Sequence, residues 1–408
     1  MRGSPGRDGL EPVILRAESE LLLCCARVQA DAETADRILA LVKGPVDWLR
    51  LLEMAHDHGI GPLLYSRLDS IAAEMVPPAV LGQLRDEFRA NTRRNLWLTG
   101  ELLRLLAEFR NAGVPVVPFK GPTLASALYG SLGLREFTDL DLLIRPGDLR
   151  ASKRLMLAHG YRPWLDLTGA QEDALLKHQY ELPFVRSADG TIVEIQWRIV
   201  PRYFSLTLDF ARFEPRLGSA SLLGRPVLSL SPEDLLLVLC VHGTKHLWQR
   251  LGWVCDVAEM LRLHADLDWG YVLGTARKMG AERILLLGAR LARNLLQAPL
   301  PERISARIDS VPALAALERT VSSRVFEWPV CPSGLAAQSW FHLKTRERLV
   351  DRVRYCLGLA LATTPGDWTT VSLSDPFFPL YYPVRFLRLA VKYGGGRRRG
   401  PRANDDGL

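Results

Sequence analysis

The chain has 408 residues, of which 48% are hydrophobic and 24% are charged, a balance that is typical of a globular protein with two or three domains. No run of about 18 uninterrupted apolar residues occurs, which excludes an ordinary membrane-spanning helix. The net charge of +7 permits contact with nucleotides, nucleic acid or an anionic membrane.

Targeting signals and paired cysteines of the zinc type are missing from the sequence. The N-terminus lacks an apolar signal core, so we predict a cytoplasmic protein without a transmembrane segment. The six cysteines show no short paired spacing, and most lie in apolar helical surroundings. They are therefore predicted to be buried free thiols.

The first 110 residues are predicted to be helical. Apolar positions recur at helical spacing in four segments, and Gly and Pro residues separate them. These segments are 18–28, 35–42, 48–56 and 95–109.

The pattern changes after Gly113, where short β-branched and alternating segments appear. Strands are predicted at 114–119, 138–144, 180–186 and 191–197, and helices at 121–129 and 148–159. Asp189-Gly190 predicts a hairpin between the last two strands. This middle region is therefore expected to be a small mixed sheet with helices, which makes the protein α+β.

Helices dominate again from Ser231, which is followed by a proline at the first helical position. We predict a helical N-terminal region at 1–110, an α/β core at 111–230, a helical C-terminal domain at 231–392 and a basic tail at 393–408. The aromatic and basic segment 377–392 favours a packed final helix, with a membrane-surface helix as the alternative. The arginines of the tail favour a solvated segment over a nucleic-acid or lipid contact.

Two aspartates, Asp139 and Asp141, are separated by one residue within a predicted strand. Their side chains therefore project from the same face, while Leu140 and Leu142 anchor the opposite face in a core. Two carboxylates so close repel each other unless a cation intervenes, and magnesium resolves that repulsion with oxygen ligands. A solvated strand face is the alternative explanation of the pair.

The segment Lys120-Gly121-Pro122 follows a strand and opens a helix. Unpaired N–H groups and the helix dipole favour anion binding at such a position. A turn glycine and a first-turn proline explain Gly121 and Pro122 without any function, but they do not explain Lys120, whose charge suits a triphosphate.

Glu194 supplies a third acid on another strand, where it shares a face with Gln196. It could complete the metal site and take a proton from an acceptor hydroxyl. The alternative is an exposed strand glutamate.

The sequence resembles a bacterial family of uncharacterised nucleotidyltransferases, a branch of the DNA polymerase β-like nucleotidyltransferase superfamily. The resemblance rests on segment 119–122, Tyr129, Arg135, segment 139–143 and segment 160–161, and weakly on 194–197 and 242–256. It implies a minimal nucleotidyltransferase fold, Mg²⁺ or Mn²⁺, and a nucleoside triphosphate as donor. The chain departs from the superfamily pattern in having Lys-Gly where Gly-Ser is usual, and Glu194 where the third acid is usually Asp.

Further candidates lie outside the acid positions. Arg135 could reach the phosphates as a bidentate donor, or it could be a surface arginine. His242 and His246 share a helical face, and with Lys245 they are predicted to line a substrate cleft or to form a buried polar network. The absence of the second-position Glu of metalloproteases argues against a zinc site.

The leading interpretation is an enzyme that transfers a nucleoside monophosphate from a triphosphate to an unknown small-molecule, peptide or protein acceptor. The alternative is a nucleotide-binding or scaffold protein with the same fold and little or no activity. A nucleic-acid-modifying enzyme is a third interpretation, which the absence of an aromatic and basic stacking platform argues against. Family members often accompany polysaccharide or natural-product genes, which implies such a pathway here.

Overall fold

The computed structural model describes residues 16–326 and 334–394 of the chain. The α-helices in these residues are α1 Ala17–Cys25, α2 Ala32–Lys43, α3 Trp48–Asp57, α4 Gly61–Ile71, α5 Pro78–Asn111, α6 Pro122–Tyr129, α7 Leu149–Ala158, α8 Gly169–His178, α9 Phe210–Phe213, α10 Pro232–Lys245, α11 Leu251–Leu263, α12 Trp269–Met279, α13 Glu282–Leu296, α14 Glu302–Asp309, α15 Pro312–Phe326, α16 Leu335–Thr345, α17 Leu349–Leu361, α18 Pro365–Thr370 and α19 Tyr381–Gly394. The strands are β1 Val117–Pro118, β2 Asp139–Leu143, β3 Tyr161–Pro163, β4 Glu181–Arg186, β5 Ile192–Gln196, β6 Gly218–Leu222 and β7 Arg225–Ser229.

Five strands form a mixed sheet in the order β1-β2-β5-β4-β3. The pair β2 and β5 is parallel, whereas the other three pairs are antiparallel. Strands β6 and β7 form a separate hairpin. The predicted α+β class, a mixed sheet with helices between helical flanks, is confirmed.

Side-chain capping explains where several helices begin. The Asp31 and Asp47 carboxylates accept hydrogen bonds from the backbone N–H groups of Thr34 and Arg50, at the starts of α2 and α3. The predicted start of α10 at Ser231 is confirmed, since its hydroxyl accepts a bond from the Asp234 N–H. These caps satisfy N–H groups that have no partner within the helix.

Two hydrophobic cores enclose the sheet from opposite sides. The first joins the N-terminal helices to α10, α11 and α13, through residues such as Leu21, Leu64 and Leu285. The second lies between the other face of the sheet and helices α5 and α7, and it contains Leu140 and Ile195. The acid-bearing face of β2 is therefore turned toward the helices of the first core.

Several elements differ from the sequence prediction. The strand expected at 114–119 is confined to Val117–Pro118, because Pro115 and Pro118 have no N–H to donate to a ladder. The chain does break after α3, but helix α4, which was not predicted, begins directly afterwards at Gly61. Pro62 lies in its first turn and removes no helical hydrogen bond there. Strand β3, helix α8 and the β6–β7 hairpin were not predicted.

The domain boundaries at 110, 230 and 392 stay predictions. The tail predicted at 393–408 lies outside the described residues, apart from the last two residues of α19. Within the described part of the chain, no helix is both long and apolar enough to cross a membrane. The described cysteines are free thiols, but Cys356 is exposed and Cys24 is only half-buried, so the prediction of burial was wrong for these two.

Candidate active site

Three carboxylates converge at the centre of the mixed sheet. Strands β2 and β5 run parallel in a register that places Asp141 beside Glu194. Asp139, Asp141 and Glu194 each offer an oxygen atom, and these atoms all lie within 4.8 Å of one another. This Asp139–Asp141–Glu194 group, called the acid triad below, could hold a metal ion.

The opposite face of the same strands fixes the triad in place. Leu140 and Leu142 alternate with the two aspartates and are fully buried in the second core, as are Val193 and Ile195 beside Glu194. Because side chains alternate across a strand, burial of these apolar residues forces the acids onto the other face.

Burial and mutual repulsion destabilise the charged forms of Asp139 and Glu194. Burial, followed by the neighbouring Asp141, raises the pKa of Asp139 to about 6. Burial also raises the pKa of Glu194 well above its usual value, with Glu181, Asp141 and Asp139 adding to the effect. A cation among these acids would relieve the repulsion.

Lys120 supplies the first positive charge. Its Nζ lies 2.7 Å from Asp141 Oδ1, and both side chains are largely buried. Burial alone would lower the pKa of Lys120, but Asp141, Asp139 and Glu194 raise it above its usual value. Lys120 is therefore a charged internal partner of the triad.

Gly121 brings the start of α6 against the strand that carries the aspartates. Its φ is +58°, in a region that L side chains rarely adopt, and an added Cβ would lie 3.3 Å from the backbone oxygen of Asp139. Gly121 therefore places the N-terminus of α6 next to the triad, where its free N–H groups favour an anion.

Two polar residues of the site were not among the sequence candidates. Gln196 Nε2 donates to Asp141 Oδ1 at 2.8 Å and to Glu194 Oε2 at 2.9 Å, bridging two members of the triad. Glu181 on β4 pairs with Gln196 in the antiparallel ladder, which puts a fourth acid on the same face. The Asp189-Gly190 turn fixes this register, so the hairpin signal could have revealed Glu181.

Arg135 lies in the loop before β2 and is turned toward α11. Its Nε and Nη2 donate to the two carboxylate oxygens of Asp256 at 2.8 and 2.9 Å. The Tyr129 hydroxyl donates to the same carboxylate at 2.7 Å. This pairing occupies the Nε and Nη2 atoms of Arg135. The predicted contact of Arg135 with a phosphate stays a prediction.

Helix α10 places Lys245 over the site. Lys245 Nζ donates to the Tyr180 hydroxyl at 2.9 Å. Burial lowers the pKa of Lys245, while Glu181, Glu194 and Asp141 act in the opposite direction. Lys245 therefore lies within electrostatic reach of the acids, on the side of the sheet that carries Glu181.

His242 and His246 form an aromatic cluster with Trp253. The centroids of the two imidazole rings are 4.7 Å apart. The His242 centroid lies 5.5 Å, and the His246 centroid 5.0 Å, from the centroid of the Trp253 ring. Burial lowers both histidine pKa values well below the usual range, and nearby lysines add to the effect. Both rings are thus neutral at pH 7, and their role in a cleft or in a buried polar network stays a prediction.

The structure therefore brings together Lys120, Gly121 and the acid triad, with Lys245 beside them. In the comparison with protein families, the model described as "Uncharacterised nucleotidyltransferase" matches residues 44–297, which is more than half of the chain. No curated protein and no solved structure matches. The match includes every site residue described above, and the chain belongs to the uncharacterised nucleotidyltransferase family.

Proposed function

We propose that the protein is a metal-dependent nucleotidyltransferase that moves a nucleoside monophosphate from a nucleoside triphosphate to an acceptor hydroxyl or a similar group. The observation that carries the proposal is the convergence of Asp139, Asp141 and Glu194 within 4.8 Å beside Lys120 and the start of α6. Membership of the nucleotidyltransferase family supports the reaction type.

The donor set of the triad fits Mg²⁺ or Mn²⁺. All three side chains offer carboxylate oxygens, which are the ligands that these hard cations prefer. The raised pKa values of Asp139 and Glu194 indicate an excess of negative charge that a divalent ion would compensate. An ion held there would neutralise negative charge on the phosphates in the transition state.

The triphosphate is assigned to the side of the site formed by Lys120 and Gly121. Lys120 already lies in contact with the triad, and the first turn of α6 follows directly after Gly121. When a triphosphate occupies the site, the Lys120 ammonium exchanges its contact with Asp141 for the phosphate oxygens. Charge neutralisation and alignment are the main requirements of phosphoryl transfer.

The reaction forms one bond and breaks one at the α-phosphorus. The acceptor oxygen attacks the α-phosphorus, and the bond from this phosphorus to the bridging oxygen of the β-phosphate breaks to release pyrophosphate. Glu194, whose pKa is raised, takes the proton of the acceptor hydroxyl. In the sheet order β1-β2-β5, strand β2 separates β5 from β1, the strand that leads to Lys120 and α6. We therefore place the acceptor on the side of β5 and the leaving pyrophosphate on the side of α6.

The acceptor is assigned to the side of the site that faces α10. Lys245, Tyr180 and Glu181 lie on this side, His242 lies one turn before Lys245 on α10, and His246 directly follows the helix. The charged and hydroxyl groups here suit a polar acceptor such as a sugar, an antibiotic or a peptide. We place the reaction in polysaccharide or natural-product biosynthesis, and the fold in the DNA polymerase β-like superfamily.

A second candidate function is nucleotide binding without efficient transfer, as a sensor or scaffold. The observation in its favour is that Gln196 and Lys120 already satisfy two triad oxygens, Asp141 Oδ1 and Glu194 Oε2, through hydrogen bonds and an ion pair. A site that is satisfied in this way has less need of a cation. Transfer activity separates the two candidates, because both require nucleotide binding.

The experiment uses nucleoside triphosphates labelled at either the α- or the γ-phosphate, with magnesium and fractions of small molecules and peptides. Nucleotidyl transfer moves the α-label onto an acceptor and leaves the γ-label in pyrophosphate, whereas a kinase would move the γ-label. Asp139→Asn/Asp141→Asn should abolish transfer, and Asp69→Asn/Asp86→Asn, which changes two exposed helix aspartates, should retain it. Metal-dependent binding without transfer of either label would favour the scaffold.

A further inference from the structure

The last helices of the described chain turn their charges inward and their apolar side chains outward. In α19, Arg385 is 1% exposed, whereas Leu387 is 68% and Val391 80% exposed. A helix that faces water has the reverse arrangement. The outer face of α19 is therefore apolar, which is typical of a surface that contacts another apolar phase.

The inward arginines have specific partners. Asp367 is fully buried, and its carboxylate accepts bonds from Arg385 Nη1 at 3.0 Å and from Arg388 Nε at 2.7 Å. Arg385 also donates to the backbone oxygens of Leu359 and Ala360 at the end of α17. These contacts fix the rotation of α19, so its apolar residues cannot turn inward without breaking a buried ion-pair network.

Helix α17 has an outer face of the same kind. Its buried side carries Asp351 and Tyr355, and Gly358 packs so closely on Tyr203 that an added Cβ would lie 2.3 Å from the Tyr203 Cβ. Large apolar side chains at helical spacing are exposed on the outer side. These residues are Leu349, Val350, Val353, Leu357 and Leu361.

We call the exposed residues of α17, together with Phe377, Leu380, Tyr382, Phe386, Leu387 and Val391, the C-terminal apolar surface. Exposed apolar residues concentrated in this way mark an interaction site more often than an ordinary protein surface. The two helices are linked through the inward-facing Arg385, which donates to backbone oxygens at the end of α17.

The charge of the same region identifies the partner. Residues 376–404 contain seven Lys and Arg and no Asp or Glu. Arg385 and Arg388 are paired with Asp367, and the stretch from Lys392 to Arg402 then carries five basic residues before the first acids, Asp405 and Asp406. A second copy of the chain on this surface would bring two such segments together, and their repulsion opposes that pairing.

We propose that the C-terminal apolar surface docks on an anionic lipid bilayer, with Phe386, Leu387 and Leu357 inserted at the headgroup boundary. The net positive charge of the sequence that follows α19 favours an anionic bilayer over a neutral one. Apolar insertion and a polybasic segment are the two contributions that together give stable peripheral binding. This is binding in the plane of the interface and does not require a membrane-spanning helix.

The test is co-sedimentation of the full chain with vesicles of phosphatidylcholine alone or with about 30% phosphatidylserine. We expect binding to the anionic vesicles that weakens as salt is raised. Leu357→Ser/Phe386→Ser/Leu387→Ser should lower the partition coefficient by at least about tenfold, and so should Arg397→Ala/Arg398→Ala/Arg399→Ala. The matched control Leu49→Ser/Leu263→Ser changes residues that are equally exposed on α3 and α11, and it should bind like the native chain.

The substituted leucines and Phe386 are exposed, so the variants should fold, and circular dichroism with urea unfolding checks this. Absence of binding to anionic vesicles, or equal binding to neutral ones, would overturn the proposal. So would a native dimer in sedimentation velocity that the apolar variant converts to monomer without any vesicle binding, because a second copy would then cover the surface.

Discussion

Arg135 and Asp256 form a bidentate ion pair that connects the loop before β2 to helix α11, and the two residues are 121 positions apart in the chain. Tyr129, at the end of α6, donates to the same carboxylate. The pair thus connects the segment between α6 and β2 to helix α11.

Asp256→Ala should destabilise the protein by about 3–5 kcal/mol, because it leaves the buried Arg135 charge without a partner. Tyr129→Phe removes one hydrogen bond to the same carboxylate and should cost about 1 kcal/mol. Urea unfolding followed by circular dichroism measures both. An Asp256→Ala variant as stable as Tyr129→Phe would mean that the ion pair contributes little.

The raised pKa of Asp139 predicts an unusual pH dependence of stability without metal. Between its ordinary value of 3.8 and about 6, the folded protein holds a proton that the unfolded chain has released. The free energy of unfolding therefore falls as pH rises through this window, by on the order of 3 kcal/mol.

Asp139→Asn removes this titration, so the metal-free variant should be more stable than the native protein at pH 7 and similar to it at pH 4. Thermal or urea unfolding in the presence of a chelator gives the comparison. Addition of magnesium at pH 7 should stabilise the native protein more than the variant. A variant that is less stable at both pH values would contradict the strained-acid interpretation.

Gly121→Ala tests the contact between α6 and β2. The change forces a side chain into a positive-φ conformation against the Asp139 backbone oxygen, so we expect a loss of about 2–3 kcal/mol. Gly130→Ala, at the other end of the same helix, has positive φ but no atom within 4 Å of the added Cβ, and it should cost about 1 kcal/mol. Equal losses from the two variants, measured by urea unfolding, would show that the contact is unimportant.

Lys120→Met separates metal binding from nucleotide binding. The change removes the cation that competes with a metal for Asp141, so Mn²⁺ alone should bind several-fold more tightly. The triphosphate should bind more weakly, because its cationic partner is lost. Lys120→Arg keeps the charge and is the control; weaker binding of both ligands to Lys120→Met would indicate general damage to the site.

The sequence contained enough information for the centre of the site but not for its surroundings. Alternation of Leu140 and Leu142 with Asp139 and Asp141 predicts the acid face, because a one-residue shift would expose the leucines. The ion pair of Arg135 with Asp256 could not be predicted, since the packing of α11 against α6 brings the two residues together.

The secondary structure elements were likewise predicted only in part. Helices with strong apolar periodicity, such as α7 at Leu149–Ala158, lie within one residue of the predicted bounds of 148–159. Strand β3 and the pair β6 and β7 escaped prediction, because they are short and gain their stability from neighbouring strands rather than from local propensity.

Calorimetry of magnesium-dependent nucleoside triphosphate binding tests the central claim, the metal and nucleotide site at the acid triad, most directly. We expect the native protein to bind a triphosphate with magnesium and to lose this binding in a chelator. We expect Asp139→Asn/Asp141→Asn, folded as judged by circular dichroism, not to bind, while Asp69→Asn/Asp86→Asn binds like the native protein. Equal binding with and without magnesium, or binding retained in the double triad variant, would show that the triad is not a metal and nucleotide site.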